Sequence, residues 1–332
     1  MIQLLLKTLL LLTAVQTYAD TLKQTPEDLI DGEYWAVAYS GFREGQHPDR
    51  GDGAINPSTE EILEDLKILE EEGFRLIRMY DSGENTRMTL EVIRDNDLPI
   101  TVCLGVWLDA EVSNHENCHW LTEPIPAETL AENKKKNAEE VSRAISLSNE
   151  FNEIVCAVNV GNEALIFWND HMMTVDGVID YVCVVKASIE QPVTVAESYG
   201  WWKEPDGARL AAVVDFIGVH TYGLWEGRGI DEGMSFTIET LEQVREALPD
   251  VPMAVLEAGW ATTASEFGER AGEAQQKSYY YDLKDWAEAN NTTVFFFEAF
   301  DEPWKGNPDN PNGAEKHWGL YFEDRTPKAV LQ

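Results

Sequence analysis

Residues 154–163 read Ile-Val-Cys-Ala-Val-Asn-Val-Gly-Asn-Glu, and residues 253–260 read Met-Ala-Val-Leu-Glu-Ala-Gly-Trp. Each is a short apolar run rich in β-branched residues, and each gives way abruptly to carboxylate, amide and aromatic side chains. Runs of this length that lack regular polar alternation are strands buried on both faces, as in parallel sheets. The pattern recurs along the chain. Strands are predicted over Tyr34–Phe42, Phe74–Tyr80, Ile100–Leu108, Ile154–Glu163, Val193–Ser198, Phe216–Tyr222, Met253–Trp260 and Val294–Phe300. Several start just after a helix-stopping glycine or proline: Gly73, Pro99, Pro192 and Pro252.

Amphipathic segments lie between these runs. Ser58–Glu72 opens on Pro57-Ser58 with acidic residues in its first turn, which suits a helix N-terminus. Thr129–Asn149, Thr174–Ile189, Met234–Leu248 and Glu273–Asn290 carry similar helical periodicity. Strands alternating with helices imply a parallel sheet with right-handed crossovers. Eight such units fit a single closed (β/α)8 TIM barrel better than an open doubly wound sheet. The turn after the first run, Tyr39-Ser40-Gly41-Phe42-Arg43-Glu44-Gly45, also lacks the G-x-G-x-x-G of a dinucleotide-binding fold.

Residues 1–19 read as a secretion signal: Lys7, an apolar stretch from Thr8 to Val15, and the small-residue site Thr17-Tyr18-Ala19. The stretch is too short for roughly 30 Å of hydrocarbon, so a secreted or periplasmic protein is expected, with residues 20–332 as one catalytic domain and no membrane in the mature form. A monomer is expected. Sixty acids face 25 bases, a formal charge of −35. Such a surface disfavours nucleic acid and anionic polysaccharides but is indifferent to a neutral substrate. Cys103 and Cys156 fall in strand-like runs, Cys183 in a helix-like one and Cys118 in a loop, so free thiols are expected, with at most one incidental bridge. Asn290-Asn291-Thr292-Thr293 holds glycosylation sequons that matter only in a eukaryotic secretory host.

Barrel enzymes carry their chemistry at the C-terminal ends of the strands. Those positions here hold Arg78-Met79-Tyr80-Asp81, Trp107-Leu108-Asp109, Asn162-Glu163, Glu197-Ser198-Tyr199, His220-Thr221-Tyr222, Glu257-Ala258-Gly259-Trp260 and Glu298-Ala299-Phe300-Asp301-Glu302. Paired carboxylates 5–5.5 Å apart perform retaining glycoside hydrolysis, and aromatic faces suit sugar rings. His115-Glu116-Asn117-Cys118-His119 reads as a surface loop rather than a metal site, and no G-x-S-x-G is present. Neither a metal nor a cofactor is expected. Glu163 and Glu257 stand nearly opposite on the ring, with Glu197 and Glu298 as competitors on this reading alone.

The segments VNVGNEALIFW (158–168), VLEAGWAT (255–262) and FFFEAFDEPWKG with EKHWGLYF (295–306, 315–322) closely resemble glycoside hydrolase family 17. So do YSGFREGQ (39–46), RMYDSG (78–83), VTVAESYGWW (193–202) and VDFIGVHTY (214–222). The resemblance implies Glu163 as acid/base, Glu257 as nucleophile, Asn162 at the substrate 2-hydroxyl and Tyr222 beside the nucleophile. It implies Glu302, Lys305 and Glu315 as ionic residues near the pair, although Asp301-Glu302-Pro303-Trp304-Lys305 departs from the plant-type N-E-N-x-K. Substrate-binding candidates are Tyr39, Tyr80, Asp81, Asn162, Trp168, Tyr199, Tyr222, Trp260, Glu298, Glu302 and Lys305, with Trp107, Trp201, Trp202 and Trp225 as further rim aromatics. The implied partner is a neutral β-1,3-glucan such as laminarin, cut internally. Alternatives are a β-1,3-glucanosyltransferase with the same glutamates, a glucan-binding protein without catalysis, and a related enzyme acting on mannan or β-1,4-glucan.

Overall fold

The computed structural model describes residues 21–49 and 53–332. The expected leader lies outside these residues. Among them, no helix is long and apolar enough to cross a membrane.

Eight parallel strands close in chain order into a barrel: β1 (Trp35–Ala38), β2 (Leu76–Arg78), β3 (Thr101–Val106), β4 (Val155–Asn162), β5 (Val193–Ser198), β6 (Ile217–His220), β7 (Met253–Ala258) and β8 (Val294–Phe296), with β8 pairing back onto β1. The strands are shorter than the apolar runs that announce them. Residues such as Tyr39–Phe42 and Phe297–Phe300 leave the ladder and bend over the rim.

The layer between strands and helices is the larger core. Val37, Ile77, Leu104, Val158, Val195, Val219 and Val255 point outward to meet the helices. α1 (Thr59–Glu71) starts on a capping box in which Ser58 Oγ accepts from Glu61 N–H and the Glu61 carboxylate accepts from Ser58 N–H. α2 (Glu84–Asp95), which the sequence reading did not single out, begins where Asp81 Oδ1 accepts from Gly83 N–H (2.7 Å) and Thr86 Oγ1 (3.3 Å). α3 (Ala127–Glu150) and α4 (Val175–Lys186) follow, then the short α5 (Tyr199–Trp202) and α6 (Pro205–Ala211). α7 (Ile230–Ala247) starts four residues earlier than its periodicity suggests, because Gly233 is part of the helix. A Cβ there would lie 2.9 Å from the Trp260 ring, so this glycine is a packing requirement, not a break. α8 is Glu273–Asn290.

The barrel interior is a separate small cluster to which every strand or its edge contributes: Ala36, Leu76, Cys103, Ala157, Ala196, Phe216, Ala254, Leu256 and Phe295, closed below by Ile30. Alanine supplies four of these positions, which leaves room along the axis for a long polar side chain above them. All four cysteines are free thiols; burial pushes Cys103 up to about 12. In the sequon stretch, Asn290 and Asn291 each donate to a backbone carbonyl while Thr292 and Thr293 are buried.

Candidate active site

Successive strand residues point to opposite faces, so Asn162 and Glu163 can both face the axis only if the strand is broken. The register of β4 against β5 shifts between Asn159 and Asn162, Gly161 takes φ +92° and Glu163 takes φ +49°. A left-handed non-glycine residue costs about 1–2 kcal/mol, and the turn is held by several bonds. Glu163 N–H donates to Ala196 O (2.8 Å), Asn169 Nδ2 donates to Glu163 O, and Met173 N–H donates to Ala164 O (2.8 Å). On β7, one extra residue relative to β6 separates Val255 from Glu257, so Glu257 turns inward directly after the inward-facing Leu256.

Beneath both lies Arg78, whose side chain is fully buried. Its guanidinium rises over the alanine-lined interior and donates to Glu257 Oε1 (2.7 Å), Asn162 Oδ1 (2.5 Å) and Leu256 O (3.0 Å). Tyr80 OH also donates to Glu257 Oε1 (3.0 Å), and Tyr222 OH donates to Oε2 (2.6 Å). Burial and then the Glu257 charge push both phenols well above their ordinary value, so both remain protonated donors. His220, at the end of β6, joins the two carboxylates. Its Nδ1 lies 3.0 Å from Glu163 Oε1 and 3.4 Å from Glu257 Oε2. Its Nε2 faces Arg78 Nη1 at 3.4 Å; arginine has no lone pair, so the hydrogen belongs on Nδ1, which serves the carboxylates. The two contacts to Nδ1 cap the separation of those two carboxylate oxygens at 6.4 Å, their sum.

The environments of the pair differ. Burial alone pushes Glu257 up, but His220, Arg78 and Tyr222 outweigh it and hold the carboxyl below the usual range. Glu163 is more open, its side chain 28% exposed against 8% for Glu257.

The competing carboxylates have other employment. Glu197 is fully buried behind the Glu163 turn. Glu298 is sunk in an ionic trio with Lys305 and Glu302, and Ser40 Oγ donates to Glu302. Burial drives Glu298 well above the carboxylate range despite Lys305, with Glu302 adding to the rise. Burial opposes the charge on Lys305, but Glu298 and Glu302 raise it overall. Glu315 is half-buried nearby; burial raises it, Lys305 opposes, and Glu257 and Glu163 add to the rise.

The substrate-binding candidates therefore divide. Tyr80, Asn162 and Tyr222 surround the pair, and Glu298, Glu302 and Lys305 form the trio. Trp168 is 39% exposed on the loop after β4, and Tyr199 is half-buried against Phe236. Three candidates are corrected. Tyr39 is 1% exposed with its hydroxyl toward Asp65 (3.4 Å), Asp81 Oδ1 is taken by Gly83 N–H and Thr86 Oγ1 at the start of α2, and Trp260 is fully buried against Tyr279 with its indole N–H on Arg270 O (2.8 Å). Of the other rim aromatics, Trp202 is core, whereas Trp107 and Trp225 are 36% and 41% exposed. Arg78 and His220 were read at strand ends without a role in the site. Their signal was a charged or basic residue inside a short apolar run, which in a closed barrel has the axis as its polar destination.

An eight-stranded barrel with carboxylates after β4 and β7, backed by arginine, histidine and tyrosine, defines a barrel glycoside hydrolase. Residues 36–319 match the BtgE/BtgC glycoside hydrolase domain, and the chain belongs to that family. It is 26% identical over 267 residues to a glucan 1,3-beta-glucosidase of Arthroderma benhamiae, covering 76% of this chain and 78% of that protein. It is 28% identical over 190 residues to a glucan 1,3-beta-glucosidase of Schizosaccharomyces pombe, covering 53% and 57%. Among solved structures, an endo-laminarinase from Formosa superposes with TM-score 0.79 at 25% identity, covering 93% of this chain and 88% of that one. A Rhizomucor miehei β-1,3-glucanosyltransferase superposes with TM-score 0.68 at 19% identity, covering 93% and 98%, a likeness of fold. The resemblance to family 17 carried by the motifs stands.

Proposed function

We propose that the protein is a secreted, retaining endo-β-1,3-glucanase acting on laminarin-type glucan, with Glu257 as nucleophile and Glu163 as acid/base. The observation that carries the reading is the shared contact with His220 Nδ1. With one oxygen of each carboxyl on the same ring nitrogen, at 3.0 and 3.4 Å, the two groups are close enough for the paired roles of a retaining enzyme.

In the first step a Glu257 oxygen attacks the anomeric carbon as the glycosidic C–O bond breaks, and the Glu163 proton passes to the departing oxygen. In the second, water attacks the same carbon, gives its proton to Glu163, and releases Glu257. The donors on Glu257 favour its ionised form at rest and its departure in the second step. The open setting of Glu163 suits a group that exchanges its proton every turnover. Exposed Trp107 and Trp168 after β3 and β4, with Trp225 after β6, flank the pair and support a chain lying across it. The acidic surface is compatible with an uncharged polysaccharide, and the similarity to glucan 1,3-beta-glucosidases and an endo-laminarinase supports the linkage.

The test is the stereochemistry of the first product. On laminarin-type oligosaccharides, early proton NMR should show the β-anomer appearing before mutarotation, and Glu257→Gln should abolish turnover. Products that appear first as the α-anomer, or normal cleavage by Glu257→Gln, defeat the proposal.

A further inference from the structure

The mechanism leaves one carboxyl beside the site without a task. Glu197 is fully buried on β5, points away from the axis, and lies directly behind the turn that carries Glu163. Its Oε1 accepts from Leu165 N–H at 2.9 Å, and the nearby Ala164 amide favours the carboxylate as well. Among the described residues its Oε2 has no hydrogen-bond partner. The Leu165 amide lies two residues past Glu163, in a stretch where φ of Glu163 is +49° and neither strand ladder nor helix supplies an acceptor. Without Glu197, the buried Leu165 N–H would lack its partner next to a backbone conformation that a non-glycine residue seldom holds.

We propose that Glu197 is a positioning residue for the glycosidase reaction, fixing the acid/base Glu163 through the amide of Leu165 two residues on. The inference rests on the assignment of Glu163 above. What the turn needs is an acceptor oxygen rather than a charge. Burial, and secondarily Glu163, push Glu197 well above the carboxylate range, and a neutral carboxyl does not add a second negative charge behind the group that must carry a proton. Glutamine at this position keeps the oxygen and the volume, whereas methionine keeps only the volume.

The experiment compares Glu197→Gln, Glu197→Met and Glu163→Ala, each checked for folding by circular dichroism, on laminarin and on an activated dinitrophenyl β-glycoside with and without azide. Glu197→Gln should keep activity within about threefold and leave the pH profile in place, because the acceptor survives. Glu197→Met should lose roughly 10–100-fold in kcat on laminarin with KM little changed, as for a displaced general acid. Its first step on the activated glycoside should be spared, and azide should raise its turnover by replacing water in the second step. Equal losses on both substrates, no response to azide, or a tenfold loss in Glu197→Gln overturns the inference. Glu197→Met that does not fold leaves the glutamine arm to decide. If Glu163→Ala itself lacks the sparing and the azide response, the acid/base assignment fails; if Glu163→Ala has both and Glu197→Met has neither, only the role of Glu197 fails.

Discussion

Replacing Tyr222 with phenylalanine removes one oxygen from the most heavily donated carboxylate of the site. Glu257 then keeps Arg78 and Tyr80 on Oε1, but Oε2 is left with the 3.4 Å contact to His220 in place of a 2.6 Å bond. A hydrogen bond to a charged group contributes about 1.5–3 kcal/mol. With two donors remaining on the other oxygen, the lower end applies, which is about a tenfold weakening of the ionised form. The sign follows from the balance on Glu257. Its carboxyl sits below the usual range because His220, Arg78 and Tyr222 outweigh burial, so losing Tyr222 raises it. On the proposed assignment of Glu257 as nucleophile, its ionised form is then lost earlier as pH falls, and the acidic limb of kcat/KM on laminarin moves to higher pH. Relative to the parent, activity drops about tenfold on that limb and much less on the neutral plateau. Stability changes in the same sense. A depressed carboxyl stabilises the fold above its unfolded value of about 4.3 and loses that contribution as pH falls through its folded value. The Tm deficit of Tyr222→Phe should therefore be present at neutral pH and shrink in acid. Coincident acidic limbs, with an equal loss at every pH, would refute the reasoning.

Two further contrasts test the assignment of side chains to site and core. Trp260→Ala should cost about 3–5 kcal/mol in urea unfolding because a fully buried ring is removed, whereas Trp225→Ala should leave the midpoint unchanged and raise KM for long glucans. Arg325 donates through Nε (2.7 Å) and Nη2 (2.6 Å) to the buried Asp65, which also takes a bond from Arg43 (2.8 Å). Arg325→Met should destabilise by about 3 kcal/mol, the low end for a broken buried pair, while kcat of the folded enzyme stays the same.

The barrel was legible because its strands are buried on both faces, so that composition alone separates them from amphipathic helices. Boundaries were less so. An apolar run such as Val294–Phe300 continues past the last ladder bond because rim residues are buried as well. α2 escaped notice because its start depends on the Asp81 side chain folding back on Gly83 and Thr86. Within the site, Glu163 and Glu257 were selected by family motifs, and the bulges that turn them inward leave no periodic signal. Trp260 and Trp225 are the same residue type at the same rim. One is core because Gly233 leaves room beside its ring, which is a property of a remote glycine rather than of the tryptophan.

The fastening of Asp65 by Arg325 also bears on the order of assembly. The two residues are 260 positions apart, and the same stretch sends Lys328 to Asp301 and is met at Ala329 and Val330 by Lys277 and Tyr281 from α8. On an emerging polypeptide, the Asp65 carboxylate on α1 would have only the Arg43 side of its pairing until every strand had been synthesised. The barrel seam between β8 and β1 would then be sealed by residues that arrive last. Such long-range closure makes folding slow, because residues from the two ends of the sequence must meet before the seam is sealed.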